Sequence, residues 1–338
     1  MKKFTLLFVF QLSILSVFGN QSIPDSVYNE YKILNDAELR LPEFKDNDDV
    51  LLLKLIQLEL INKSRGKRKR QTVKLDILAS RVANKMCKEA SEKGFVAHWN
   101  TAGEKPYHRY AFAGGNDHVS ENAYGESSKT VGFSIGSVEM LDSIETKLGD
   151  DPAYSNDSLS VLFYMKKGHD AFMSEKAPHD GHKKTVLEKW HNYVGIGYYM
   201  GKNNFRYYEE FIDRYYEFLE VPTTVSKNEK FTIKLKTQEG QFLVYFVAYY
   251  EKALKPKKPA VLKLKGSYKD YSSKRGVEFD PWELPKFRTG QVYEIQLKFK
   301  KPGLYYIHMY QDKKEITKVK SYNTAKKCQA SGIVIRVE

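Results

Sequence analysis

The segment 172–198, FMSEKAPHDGHKKTVLEKWHNYVGIGY, places one carboxylate, Glu175, and two imidazoles, His179 and His182, within a few residues of each other. Gly168 lies just before this segment and Gly181 within it. Neutral imidazoles bind zinc and leave coordination positions open to water, while a nearby carboxylate orients a histidine or accepts a proton. Such an open site could polarise an ester or amide or activate water. Taken alone, the stretch reads as a self-contained metal loop built on His179 and His182. It runs directly into the apolar Val194-Gly195-Ile196-Gly197-Tyr198, and reactive groups at the mouth of a strand need partners from elsewhere in the chain.

The elements that must bring those partners can be read in order. Leu51, Leu52, Leu55, Ile56, Leu58 and Ile61 recur at helical spacing from Asp48, with Asp48 or Asp49 as N-cap. The basic run 65–70 follows and reads as a solvated loop. A second helix is predicted over 75–93, with Leu75, Leu78, Ala79, Val82, Ala83, Met86 and Ala90 as one stripe and Gly94 as its stop. Residues 113–118 read as loop, and 125–158 as a polar connection with one helix near 138–148. A further helix over 158–173 delivers the chain to Glu175. Runs 193–200 and 205–213 around Gly201-Lys202-Asn203-Asn204 predict a β-hairpin. Together these give helices on one side of a small antiparallel sheet.

From Val221 the texture changes to alternation: Phe231-Ile233-Leu235, Leu262-Leu264, Tyr293-Ile295-Leu297-Phe299 and Ile333-Ile335-Val337. Short strands with Gly/Pro turns and no helical period predict a β-sandwich. The expected organisation is 1–20 signal peptide, 21–47 leader, 48–218 first domain and 219–338 second domain, with 221–228 as linker. Lys2 and Lys3 followed by an apolar run to Phe18 and a small Gly19 form the pattern of a secretory signal, too short for a membrane span. A secreted or envelope location is therefore expected, and no later segment is long and apolar enough to cross a bilayer.

Charge separates the two halves. Residues 21–218 hold 28 basic against 30 acidic side chains, and 219–338 hold 25 against 12. The basic second domain is expected to meet a surface glycan, a protein, an acidic polymer or anionic headgroups. Lysines that keep a β-domain soluble and its edges unpaired account for the charge equally well, and nucleic acid is a poor partner for an exported chain. Of the two cysteines, Cys87 falls on the apolar stripe of a helix and reads as a buried free thiol rather than half of a bridge to Cys328.

In their order, Asn62-Lys63-Ser64-Arg65, His98, Ser120-Glu121-Asn122-Ala123, Glu175, Gly181-His182 and Val194-Gly195-Ile196-Gly197-Tyr198 resemble the CAP superfamily. That superfamily, also called SCP/TAPS, includes cysteine-rich secretory proteins, antigen 5 and plant pathogenesis-related class 1 proteins. The resemblance spans about 48–218 and implies an α+β chain: a CAP α-β-α sandwich, followed here by an all-β sandwich-like domain. It implies a cleft tetrad of His98, Glu121, Glu175 and His182, with His98 and His182 as metal ligands, Zn2+ as the cofactor, and sterol or other lipid ligands in some members. His179 stands as a neighbour or substitute for His182, and His118, near Glu121, as a supporting residue. Few cysteines and Lys183-Lys184 after the second histidine bring the chain closer to bacterial-type CAP domains. In many of those a serine or proline stands where Glu175 stands here, and the 54 residues from Glu121 to Glu175 make a long insertion in one cleft wall.

The functional expectation is a binding protein whose cleft takes a divalent metal or a small apolar ligand and whose β-domain attaches it to a surface. The alternative is a metal-dependent hydrolase or protease acting through the same cleft, although neither a paired nucleophile nor a three-ligand metal set is visible. A third reading makes the tetrad a hydrogen-bonded knot that fixes helices to a loop. His108, His169, His191 and His308 read as ordinary core or surface histidines.

Overall fold

The computed structural model describes residues 23–128, 154–263, 275–318 and 321–338. The expected signal peptide and the helix expected near 138–148 lie outside them. Helix α1 (Asp25–Ala37) opens the described chain, followed by α2 (Asp48–Gly66), β1 (Lys74–Leu75), α3 (Ile77–Glu92), α4 (Pro106–Phe112) and β2 (His118–Ser127). Helices α5 (Ser158–Ser174) and α6 (Gly181–Val186) lead to the hairpin of β3 (Tyr193–Gly201) and β4 (Asn204–Asp213). The strands form one sheet in the order β1-β3-β4-β2, in which β1 alone is parallel to its neighbour.

Helices cover both faces of this sheet, a correction to the one-sided expectation. Phe205, Tyr207 and Phe211 of β4 and Val194 and Ile196 of β3 pack against Leu51, Leu55 and Leu58 of α2 and Val161, Leu162 and Met165 of α5. On the opposite face, α3 rests directly on β3. A Cβ at Gly195 or Gly197 would clash with the backbone of Ala79 or Ala83, so the Gly-x-Gly spacing sets how close this helix can lie. Because Gly195 and Gly197 carry no side chains, the face of β3 that receives α3 shows no apolar residues at these positions in the sequence.

Helices α2, α3 and α5 are capped at their N-termini by side chains. The Asn47 side chain accepts from the Val50 N–H at 2.9 Å, Asp76 from Ala79 at 2.6 Å and Asp157 from Ser160 at 2.9 Å. The cap of α2 is thus Asn47, one residue before the expected pair.

Residues 23–47 of the expected leader (21–47) instead hold α1 and are locked to the core. Tyr31 Oη accepts from the Leu75 N–H at 3.1 Å, and Arg81 donates to the Asn35 carbonyl at 2.7 Å. The buried Lys54 ammonium lies between Asp46, at 2.7 and 2.8 Å, and Asn84 Oδ1, at 3.0 Å. Arg65, expected in a solvated loop, is also buried. It donates to the carbonyls of Gln71, Val186, Glu188 and His191 and so fastens the loop after α6.

The second unit is a β-sandwich, and the chain as a whole is α+β. It contains β5 (Tyr216–Glu220), β6 (Thr224–Val225), β7 (Lys230–Thr237), β8 (Phe242–Glu251), α7 (Pro259–Leu262) and β9 (Arg275–Phe279). It continues with β10 (Arg288–Thr289), β11 (Val292–Lys298), β12 (Gly303–Asp312), β13 (Cys328–Gln329) and β14 (Ile333–Val337). One sheet has the order β10-β11-β7-β5 and the other β6-β14-β12-β8-β9, with β13 beside β12. Ile233, Leu235, Ile295 and Leu297 meet Phe246, Ala248, Ile307 and Met309 between them.

Leu262, expected in a strand, ends the helical turn α7 because Pro259 starts a turn there, and it packs with Cys87, Phe95 and Trp99 of the first unit. Leu264 is not among the described residues. Cys87 and Cys328 are both buried and free.

The two units share a buried seam. Tyr107 stacks on Tyr306 with ring centroids 3.8 Å apart. The Glu251 carboxylate accepts from Tyr107 Oη at 2.5 Å, with Lys105 Nζ at 3.4 Å and His108 Nε2 at 2.9 Å. Backbone bonds from Gly332 N–H to the Asn116 carbonyl and from Lys257 N–H to the Thr101 carbonyl, each 2.8 Å, close it.

Candidate functional site: two histidine-carboxylate pairs at a sheet edge

Among the described residues β2 is an edge strand of the first sheet, and the site is built around it. Glu121 projects from β2 toward the α3 side, where the loop after α3 brings His98. His98 Nδ1 lies 2.7 Å from Glu121 Oε1. Glu175 follows the last residue of α5, and His182 sits in the first turn of α6, with Nδ1 2.5 Å from Glu175 Oε1. The other Glu175 oxygen accepts the backbone N–H groups of His182, at 2.9 Å, and Lys183, at 3.3 Å. One carboxylate therefore fixes both the ring and the backbone of His182.

The pairs come together. The two imidazole centroids are 6.2 Å apart with an interplanar angle of 36°. Both rings are mostly covered, with side-chain exposures of 13% for His98 and 17% for His182, so only part of each ring can meet a ligand. Phe172, buried in the core, lies against His182 at 5.0 Å and meets Tyr124 edge-on, so it backs the imidazole on one side.

A group not anticipated from the sequence stands behind His98. Arg109 of α4 donates to the His98 carbonyl at 2.8 Å and to Glu121 Oε2, and its Nη2 is 3.4 Å from Glu210 Oε1. Glu210 is the β4 residue directly opposite Glu121. A signal was available in β4, whose aromatic residues alternate with Arg206, Glu209, Glu210 and Asp213. Charges placed in a strand covered on both faces require buried partners.

Electrostatics sort these groups into charge states. Burial, reinforced by the neighbouring His182 and Arg109, pushes His98 down to about 3, so its ring is neutral at ordinary pH. Burial also raises Glu121, against the opposing pull of Arg109. Glu210 is held well above the carboxylate range by burial and then by the Glu121 charge, and it keeps its proton. Burial works against the Arg109 charge, but the surrounding carboxyls, Glu121 first among them, outweigh it and hold the guanidinium protonated. The buried knot is thus one cation, one anion and one neutral acid.

The opposite face carries a second polar row. His169 Nδ1 is 2.7 Å from Glu209 Oε1 and its Nε2 is 3.0 Å from Ser64 Oγ, tying α2 and α5 to the sheet. Asn122 of β2 donates to Glu209 at 3.3 Å and to the His182 carbonyl at 3.1 Å, linking this row to the second cleft wall. His169 and Glu209 are fully buried.

Two expected helpers stand elsewhere. His179 is exposed on the loop before α6. His118 pairs through Nδ1 with Asp213 Oδ2 at 2.9 Å. Along a strand, residues three apart point to opposite faces, so His118 and Glu121 cannot serve one side.

A zinc ion suits this donor set in part. With its Nδ1–H directed at Glu121, the neutral His98 ring carries its lone pair on Nε2, as in carboxylate-histidine-zinc arrangements, and Glu175 orients the His182 ring through the same nitrogen. Two imidazoles bound to one ion at about 2.0–2.1 Å place their centroids roughly 5–6 Å apart. Among the described residues no group of three His, Cys, Asp or Glu side chains forms a metal cage, and an ion held here would have His98 and His182 as its two protein donors.

No protein-family model matches the chain, and no match was found among curated proteins. Among solved structures, it is similar to an extracellular protein containing an SCP domain from Bacillus anthracis, at TM-score 0.31 and 14% identity, over 47% of this chain and 39% of that one. It is also similar to an outer surface protein from Borrelia burgdorferi, at TM-score 0.33 and 12% identity, over 48% of this chain and 92% of that one.

Proposed function

We propose that this chain is an exported CAP-like binding protein. Its cleft takes a divalent cation such as zinc between His98 and His182, and its β-sandwich attaches it to an extracellular or envelope surface. The observation that carries the reading is the convergence of two imidazoles 6.2 Å apart, each anchored through Nδ1 by its own glutamate. Export is read from the N-terminal sequence. No helix among the described residues is long and apolar enough to cross a membrane.

Every group in the cleft has a role in this reading. Glu121 and Glu175 hold the two rings so that Nε2 is the donor atom. Burial keeps His98 neutral, so an arriving cation meets no proton competing for that nitrogen. Arg109 fixes the loop carrying His98 through its backbone carbonyl. A divalent cation in this position would supply Lewis-acid polarisation of a bound oxygen.

A small apolar ligand lying against the edge of His182, beside the half-buried Tyr124, is the second occupant this reading admits. The enzymatic alternative is a metal-assisted hydrolase using the same cleft. Metal content of the wild type against a His98→Ala/His182→Ala variant, with a broad hydrolase screen, separates these readings. Metal bound and lost on substitution, without turnover, supports the binding protein. Turnover that the double change abolishes supports the hydrolase, and a double change that lowers stability without altering metal or ligand leaves only a structural knot.

A further inference from the structure

The outer face of the larger β-sandwich sheet is aromatic. In β8 and β12, Phe246, Ala248, Ile307 and Met309 fill the core, while Tyr245 stands opposite Tyr310 and Tyr249 opposite Tyr306 on the other face. His308 lies between the two ends, 4.2 Å from Tyr306 and 4.9 Å from Tyr249. One end of this face is covered by the first unit through Tyr107. The other end opens into a cavity of about 540 Å³ lined by Tyr245, Tyr249, Tyr310 and Trp282.

The polar lining of that cavity is mixed in sign and already oriented. Arg275 Nη1 donates to both Glu278 oxygens, at 2.6 and 2.7 Å, and Tyr245 Oη donates to the same carboxylate. Asp280, Asn323 and Thr324 complete the rim. Although 219–338 carries most of the basic excess, Arg275 is the one basic side chain among the described lining residues. A polyanion or phosphate would face Glu278 and Asp280, and a quaternary ammonium ion would face the Arg275 guanidinium. A neutral ligand with apolar C–H faces and many hydroxyls satisfies all of these groups, stacking on the rings while hydroxyls bridge the paired charges.

From this arrangement we infer that the cavity is a binding site for a neutral saccharide. It is the point through which the β-sandwich attaches to a glycan-bearing surface. The inference rests on the reading of the second unit as an attachment module and does not depend on the cleft. Its size falls within the roughly 300–1,000 Å³ of ordinary ligand sites.

The test is binding of the full chain to an array of neutral and acidic oligosaccharides, with choline and inorganic phosphate as competing probes. Retention on at least one neutral oligosaccharide is expected, with affinity falling at least about tenfold in Tyr249→Ala and in Trp282→Ala. Raising salt to about 0.5 M should leave it nearly unchanged. Tryptophan emission of the full chain should shift on titration with the retained oligosaccharide, and this shift should be absent in Trp282→Ala, whose remaining tryptophans are Trp99 and Trp190. The His98→Ala/His182→Ala variant should bind the glycan normally, which separates failure of this site from failure of the cleft. Retention of acidic glycans only, competition by choline or phosphate, or binding that survives both aromatic substitutions overturns the inference, as does an array with no neutral glycan bound.

Discussion

Glu121 and Glu210 stand directly opposite each other in neighbouring strands, both buried, with Arg109 reaching each of them. Two ionised carboxylates at this spacing would leave an uncompensated buried charge. The burial that raises both lets one proton resolve the conflict, and Glu210 holds it.

This assignment makes the two glutamates unequal under the same substitution. Glu210→Gln replaces an acid that is already neutral and should change stability by less than about 1 kcal/mol. Glu121→Gln removes the anion facing Arg109 and should cost on the order of 3–5 kcal/mol, as breaking a buried ion pair does. Urea unfolding of both variants checks the contrast, and equal losses would refute the assignment.

The neutral state of His98 has a pH signature. Its folded pKa of about 3 lies below the ordinary 6.5, so between these values the unfolded chain binds the extra proton. The contribution of His98 is therefore complete above about pH 6.5 and is lost as pH falls toward 3. In His98→Gln this part of the pH dependence should flatten, and imidazole NMR of the wild type should find the His98 ring neutral at pH 5.

Close packing of α3 on β3 predicts a steric effect with an internal control. Gly195→Ala would drive a methyl into the Ala79 backbone and should lower stability by about 1–3 kcal/mol. Gly181→Ala, with open space around its position, should lie within about 0.5 kcal/mol of wild type. Thermal unfolding of the pair checks this.

At the seam between the units, burial alone would raise Glu251, but hydrogen bonding and charge from His108, with the charge of Lys105, hold it below the usual carboxylate range. Its contribution is present above about pH 4.5 and lost as pH falls below that value. Glu251→Ala leaves Lys105 and Tyr107 buried without this acceptor and should cost roughly 3 kcal/mol. Calorimetry should then show the two units unfolding less cooperatively, and an unchanged single transition would argue against a shared seam.

Much of this fold was legible in the sequence. Helices α2, α3 and α5 and the β3-β4 hairpin carry apolar periods, and their ends fall within a few residues of the expected ones. Strand β2 was not legible as a strand. His118-Val119-Ser120-Glu121-Asn122 is polar because this edge carries the site, so no apolar alternation marks it. Without that strand, the opposite facing of His118 and Glu121 could not be seen. Helix α1 was missed because it buries little beyond Tyr31 and Asn35. The pairings that place His98, Glu121, Glu175 and His182 in one opening came from the ordered resemblance rather than from local pattern. Glu210 could be marked as a buried charge in need of a partner, but not matched to Arg109, because the two meet across 101 residues of sequence.

The most direct measurement is calorimetric titration of the full chain with zinc at neutral pH, repeated on His98→Ala, on His182→Ala and on the double variant. Saturable binding of one ion per chain is predicted, weakened by each single change and abolished by the double change, with thermal stability of the variants followed in parallel. Absence of binding by the wild type, or binding unchanged when both histidines are removed, would contradict the assignment of the cleft as a cation site.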